Sequence, residues 1–229
     1  MNAARKLWYL ENFNLFKSLD KETLTGLSRV VSDRKLSKND SIDFDINNSP
    51  FIYFLKDGKL KLSRLSNEGK EMIISLLHPG EIFGEMSIFD ETENKDYAVA
   101  IEECVVCSIE SNTFKELMET NPKLNLEVTK LIGLRLKKFS NRIEELFFLD
   151  ARQRVISFLL SFAEDFGEKV GVEIFVKPFL THQNIAELTA CSRQTVNSIL
   201  TELRDDNIIY FDRRKLIIRD EAYLKNELK

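Results

Sequence analysis

With 229 residues, 43% hydrophobic and 31% charged, the chain has room for one large domain or two modest ones. The composition is that of a soluble globular protein and excludes a disordered or collagenous class. Lys and Arg number 33 against 37 Asp and Glu, a net charge of −4, which excludes holding nucleic acid through bulk positive charge. The first 150 residues carry all of that −4 and the rest is neutral, so a nucleic-acid surface must be a local, shaped patch in the C-terminal part. Three cysteines cannot build a disulfide framework and point to a reducing, cytoplasmic setting. No apolar run approaches the roughly 20 residues that cross a bilayer. The apolar stretch at the N-terminus stops at Glu11, too short for a secretory signal.

In chain order, Leu15, Phe16 and Leu19 lead to Asp20, a plausible N-cap for a helix carrying Leu24, Leu27, Val30 and Val31. The period then changes. Ser41 to Ile46 alternates polar and apolar residues, as a half-buried strand does. Asp57-Gly58, Glu68-Gly69 and Pro79-Gly80 follow at 11-residue intervals. They separate Phe51–Leu55, Leu60–Leu65 and Met72–Leu77, each rich in aromatic and branched side chains. Turns at this spacing predict an antiparallel roll, closed by one strand-like run from Ala98 to Ile109. Ser111 or Asn112 is expected to cap a short helix through Phe114, Leu117 and Met118.

Asn121-Pro122 starts a long helix, with proline where no amide hydrogen bond is lost. Val128, Ile132, Leu136, Phe139, Ile143 and Leu146 recur at steps of 4, 4, 3, 4 and 3, the seam of a two-helix coiled coil. Leu124, Leu131 and Leu134 form a second stripe, available to the roll. A stripe buried in its own domain is the alternative. A helix of about 40 Å is longer than a small roll covers, so self-association is expected. Asp150 ends this helix and caps the next, Ala151–Phe166; Gly167 and Gly171 bracket a turn before a short strand, Val172–Val176. The expected architecture is α+β: a helical lead-in and β-roll over 1–120, the long helix over 121–149, and a C-terminal domain over 150–229.

That last domain carries the chemistry. Thr181 is expected to cap a helix with Ile185, Ala186 and Leu188, and Ser192 a second with Val196, Ile199, Leu200 and Leu203. The break at Thr189-Ala190-Cys191 makes the pair a helix-turn-helix, with Ala186 allowing a close crossing. The outer face of the second helix presents Arg193, Gln194, Asn197 and Ser198, with Thr195 placed for a phosphate or a base edge. Arg suits guanine, and Gln or Asn suits adenine. Ile208–Phe211, a turn at Asp212-Arg213-Arg214-Lys215 and Leu216–Ile218 make a basic-tipped hairpin, the wing that neutralises phosphates. A plain helical hairpin with a solvated basic turn is the bland alternative.

Taken in order, these segments resemble the Crp/Fnr superfamily of bacterial transcription regulators over nearly the whole chain. The resemblance rests on the glycine-punctuated roll, Pro79-Gly80-Glu81-Ile82-Phe83-Gly84-Glu85, the strand Ala98–Glu103, the helix from Asn121-Pro122 to Phe148-Leu149-Asp150, and Cys191-Ser192-Arg193-Gln194-Thr195-Val196. It implies a cyclic-nucleotide-binding-type β-roll (a jelly roll) that senses an effector and a homodimer joined along the long helix. It also implies a winged helix-turn-helix on a two-fold symmetric promoter site, and contact with RNA polymerase. Members that read a TGTGA-like half-site use Arg, Glu and a second Arg; here Arg193 matches the first, while Gln194 and Ser198 replace the others, so a changed half-site is expected.

In cyclic-AMP-binding members, Gly-Glu at the positions of Gly84 and Glu85 contacts the ribose, and Arg followed by Ser or Thr holds the phosphate. This sequence has Thr92-Glu93-Asn94-Lys95-Asp96-Tyr97 there, with no arginine and with carboxylates at Glu91, Glu93 and Asp96. Lys95 is a weak substitute, and Phe139 and Ser140 stand where adenine is met. A pocket of Gly84, Glu85, Met86, Lys95, Phe139 and Ser140 is therefore expected to hold an effector other than cyclic AMP, or its own side chains. Gly84-Glu85 also reads as a tight structural turn.

No iron–sulfur, haem or zinc signature is present. Cys104 and Cys107 have CxxC spacing, but on a strand they point to opposite faces, which puts one of them in the core. His78 and His182 are isolated in sequence, and no nucleophile–base arrangement marks an enzyme. Two other readings stay open: a nucleotide-binding module acting through protein partners, and a ligand-independent regulator whose roll is a scaffold.

Overall fold

In the computed structural model, residues 10, 13–17, 19–44, 51–69, 71–85 and 96–229 are described. Helix α1 (Lys21–Val30) starts where the Asp20 carboxylate accepts from the Thr23 amide at 2.8 Å, and a 3-10 turn at Asn14–Phe16 precedes it. Among the described residues eight strands follow: β1 (Ser32–Leu36), β2 (Ser41–Asp43), β3 (Phe51–Asp57), β4 (Leu60–Leu65), β5 (Glu71–Leu77), β6 (Ile82–Phe83), β7 (Asp96–Ala100) and β8 (Cys104–Glu110). They form two four-stranded sheets, ordered β1-β8-β3-β6 and β2-β7-β4-β5. This is the expected roll, with two differences. The run Ala98–Ile109 is two strands parted at Ile101–Glu103, and β1, in the stretch between the expected helix and the strand at Ser41, pairs with β8. The turn after β3 needs Gly58: its φ is +85°, and a Cβ there would meet the Glu103 carbonyl oxygen at 2.4 Å.

The apolar sequence positions sort into two cores. Leu36, Leu55, Leu60, Leu77, Phe83 and Val106 come from both sheets and fill the space between them. Leu24, Leu27, Phe54, Ile109, Phe114, Leu124 and Val128 join the outer face of one sheet to the helices. Strand β8 is therefore buried on both faces, so both cysteines are core: Cys104 lies in the first cluster and Cys107 in the second.

Helix α2 (Ser111–Thr120) follows β8 directly. Its N-cap is Glu110, without a side-chain cap bond; Ser111, expected as the cap, is buried inside the first turn. Helix α3 (Pro122–Phe148) begins at the expected proline. Its apolar stripes divide differently from expectation. Val128, placed on the self-association seam, is fully buried, and Ile132 packs against the same core. Leu124 and Leu131 face that core as expected, but Leu134 is exposed. The core of the first unit takes side chains from the first half of the helix, as far as Ile132. Leu136, Phe139, Ile143 and Leu146 stay exposed, each between 44% and 69%.

The chain divides into two compact units, Met1–Lys70 with Ile74–Lys137, and Glu71–Ile73 with Lys138–Lys229. In the second, α4 (Ala151–Phe166) opens with a capping box. Asp150 accepts from the Gln153 amide at 2.8 Å, and the Gln153 side chain accepts from the Asp150 amide at 3.2 Å. The end of α3 is held to α4 by Ser157 Oγ donating to Glu145 Oε1 at 2.5 Å. The turn expected at Gly167 to Gly171 is instead a hairpin of β9 (Gly167–Val170) and β10 (Glu173–Val176). Helices α5 (His182–Thr189) and α6 (Arg193–Asp205), strands β11 (Ile209–Phe211) and β12 (Leu216–Ile218), and α7 (Glu221–Asn226) complete the unit. Its sheet runs β11-β12-β10-β9.

Candidate nucleic-acid interface

Local sequence sets the two helices of the motif. The Thr181 hydroxyl accepts from the Asn184 amide at 3.1 Å and starts α5. The helix stops where Ala190 turns into the left-handed region at φ +50°, and the Cys191 amide donates to the Ala186 carbonyl at 2.9 Å. Ser192 caps α6, accepting from the Thr195 amide at 3.0 Å, and its hydroxyl lies 2.8 Å from that of Thr195. Three residues proposed for DNA thus already hold the motif's shape. Ile185, Ala186, Val196, Ile199, Leu200 and Leu203 bury the facing sides, and Leu188 is half-buried. Arg193, Gln194, Asn197 and Ser198 are left exposed on the outer face of α6.

Contacts from α4 fix the turn between the helices. Arg154 donates to the carbonyls of Thr189 at 2.9 Å, Leu149 at 2.8 Å and Ala190 at 3.4 Å. Arg152 donates to Glu202 on α6 and to Glu227 after α7, both at 2.8 Å. Its bond to Glu227 is the main reason the Glu227 carboxyl titrates below its ordinary value. At the tip between β11 and β12, Asp212 accepts from the amides of Arg214 at 2.7 Å and Lys215 at 3.0 Å. The Arg214 amide, first of all, pulls the Asp212 carboxyl below its usual range. Arg213 and Arg214 are exposed, while the half-buried Lys215 holds its ammonium 5.4 Å from the Tyr210 ring centroid.

In the first unit, Gly84 sits at φ +77°, where a Cβ would lie 2.9 Å from the Phe51 carbonyl oxygen, so its backbone alone demands glycine. Glu85 beside it is buried and ion-paired with Arg135 of α3, which also donates to the Ile82 carbonyl. Asp96 is held by Arg64 through two bonds of 2.6 and 3.0 Å. Phe139 and Ser140 belong to the second unit, and Met86 and Lys95 lie outside the described residues. Among the described residues, no group of three or more His, Cys, Asp and Glu side chains forms a metal site, and no helix is long and apolar enough to cross a membrane.

A cyclic nucleotide-binding domain model matches residues 34–121, and a Crp-like helix-turn-helix domain model matches residues 153–227. The cAMP-activated global transcriptional regulator CRP of Salmonella typhimurium is 30% identical over 171 residues, 73% of this chain and 80% of that one. The chain belongs to the Crp/Fnr superfamily of transcription regulators. A CRP-like cAMP-activated global transcriptional regulator of Mycobacterium tuberculosis is 25% identical over 215 residues, covering 94% of this chain and 96% of its own. A mutant of CooA from Carboxydothermus hydrogenoformans superposes with a TM-score of 0.76 at 26% identity, covering 94% of this chain and 96% of that structure. Both domains and the relatives are those of a DNA-binding regulator rather than an enzyme.

As a Crp/Fnr regulator, the chain uses side chains that sequence reading passed over. Arg154 acts on carbonyls about 35 residues away and Arg135 on a carboxylate 50 residues away, separations that no local periodicity signals. His182, read as isolated, meets the Phe211 ring at 5.5 Å between centroids in a T-shaped pair. The one local signal for Arg154 is its place one helical turn after the Asp150 cap.

Proposed function

We propose that the chain is a cytoplasmic homodimer that reads a two-fold symmetric promoter site and works with RNA polymerase. Leu136, Phe139, Ile143 and Leu146 supply the dimer seam, supported by their exposure on one helix beyond the reach of their own core. Arg193, Gln194, Asn197 and Ser198 read bases, Arg213 and Arg214 neutralise phosphates, and Thr181, Ser192, Thr195 and Lys215 border the duplex. The observation that carries this reading is the row of four exposed polar side chains on α6, in the unit that also exposes two arginines at the wing tip.

The roll senses an effector other than cyclic AMP held by the usual phosphate clamp. Although the Salmonella and Mycobacterium relatives are named as cAMP-activated, Glu85 here is engaged by Arg135 and the Asp96 carboxylate by Arg64. A second reading, a ligand-independent regulator, is favoured by the same Glu85–Arg135 pair, because the chain then fills its own pocket. Thermal shift with cyclic AMP separates these from a cyclic-AMP sensor, which would be stabilised at micromolar nucleotide.

Selection from a random-sequence duplex pool tests the DNA reading. The expected site is symmetric, with a half-site other than TGTGA. Arg193→Ala should lose about 1–3 kcal/mol of discrimination at one base pair. Arg213→Ala should weaken all sequences alike and reduce the salt dependence. Identical behaviour of the two variants would overturn the assignment.

A further inference from the structure

We propose that His182 is a positioning residue that makes DNA binding proton-linked. The proposal rests on reading the outer face of α6 as the base-reading surface. His182 is the first residue of α5, directly after the Thr181 cap, and its ring faces the wing strand. It packs on Phe211 of β11, which also contacts Phe179 at 5.8 Å and the Arg204 guanidinium at 5.5 Å. The Asn197 side chain on α6 is close enough to influence its titration. One imidazole thus packs on the wing strand beside a proposed base-reading amide, and its protonation state changes the charge presented to that surface.

The charges around the ring set the direction of the effect. Burial first, and the cation of Arg193 on α6 in addition, lower its pKa from 6.5, while the Asn197 side chain opposes them. Arg204 stands over the Phe211 ring that His182 also contacts. The first turn of α5 holds no acidic residue, and Glu187 further along that helix accepts from Gln183 at 2.8 Å. From the wing, Asp212 is taken up by the Arg214 and Lys215 amides, and Arg213 and Arg214 add only positive charge. In the free chain the imidazole is therefore neutral at neutral pH. A duplex brings phosphates to this surface and reverses the sign of the local potential, so the bound pKa rises above the free one. Binding then takes up a proton, and affinity increases as pH falls through the interval between the two values.

The test uses the full chain and a duplex it recovers from the random pool, with dissociation constants measured from about pH 8 to pH 6. Affinity is expected to rise on the order of tenfold as pH falls, within the ceiling of one proton per subunit. His182→Gln should flatten that slope, and His78→Gln, which changes the other histidine, should leave it intact. Calorimetry of the wild-type chain in two buffers of different ionisation enthalpy should show net proton uptake on binding. A wild-type slope in His182→Gln, or no proton uptake by the wild-type chain, would overturn the proposal. The calorimetry decides even if His182→Gln does not fold. Failure of the base-reading assignment would show instead as unaltered selectivity in Arg193→Ala, a separate measurement.

Discussion

Replacing Arg154 by alanine removes the donor from the carbonyls of Thr189, Leu149 and Ala190 at once. Hydrogen bonds from a charged donor are worth about 1.5–3 kcal/mol each and do not add fully, so a loss of about 2–4 kcal/mol is expected for the second unit. Thermal denaturation should show that loss, and DNA binding should fall with it because the turn between α5 and α6 is no longer held. Arg154→Lys should recover only part, since one ammonium cannot span three carbonyls as a guanidinium does. The cysteines give an independent check at the same scale. Burial pushes the thiols of Cys104 and Cys107 up to about 11, so neither forms a thiolate at neutral pH. A thiol reagent at pH 7.5 should modify at most Cys191 in the native chain and all three cysteines in denaturant. Rapid native labelling of Cys104 or Cys107 would contradict their place in the two cores and reopen a redox role.

At the scale of the element, α3 serves its own core with one half and offers an apolar face with the other. Val128→Asp should unfold the first unit, because it places a charge in a fully buried site. Ile143→Asp should leave the fold intact, since Ile143 is 57% exposed, yet shift sedimentation from dimer to monomer. Equal unfolding by both variants would remove the division of labour along the helix. The same elements show what was legible beforehand. Strands with alternating burial, such as β2 and β10, and helices with a capping residue, such as α1, α4, α5 and α6, follow from sequence pattern. Strand β1 did not, because only Leu36 of its five residues is buried and its membership comes from backbone bonds to β8. Strand β9 has no buried residue at all. An edge strand with its side chains in solvent leaves no apolar period to read. Val128 marks a different limit: a heptad stripe shows that a helix face will be covered, not whether its own unit or a second copy covers it.

For the whole molecule, the winged helix-turn-helix was legible because each part has a local signature: Thr181 and Ser192 as caps, an apolar inner face, and a basic turn between two short strands. The polar contacts of the roll were less so, because pairs such as Glu85–Arg135 and Arg64–Asp96 come together only in the fold. With carboxylates engaged in this way, the regulator is expected to differ from its cAMP-activated relatives in effector while keeping their mode of DNA binding. The most direct test of that mode is sedimentation of the full chain on the duplex it selects, with the site's symmetry read from the selected sequences. Two chains per duplex are expected, on half-sites whose centres lie about one or two helical turns apart. A single chain bound to an asymmetric site would contradict the account.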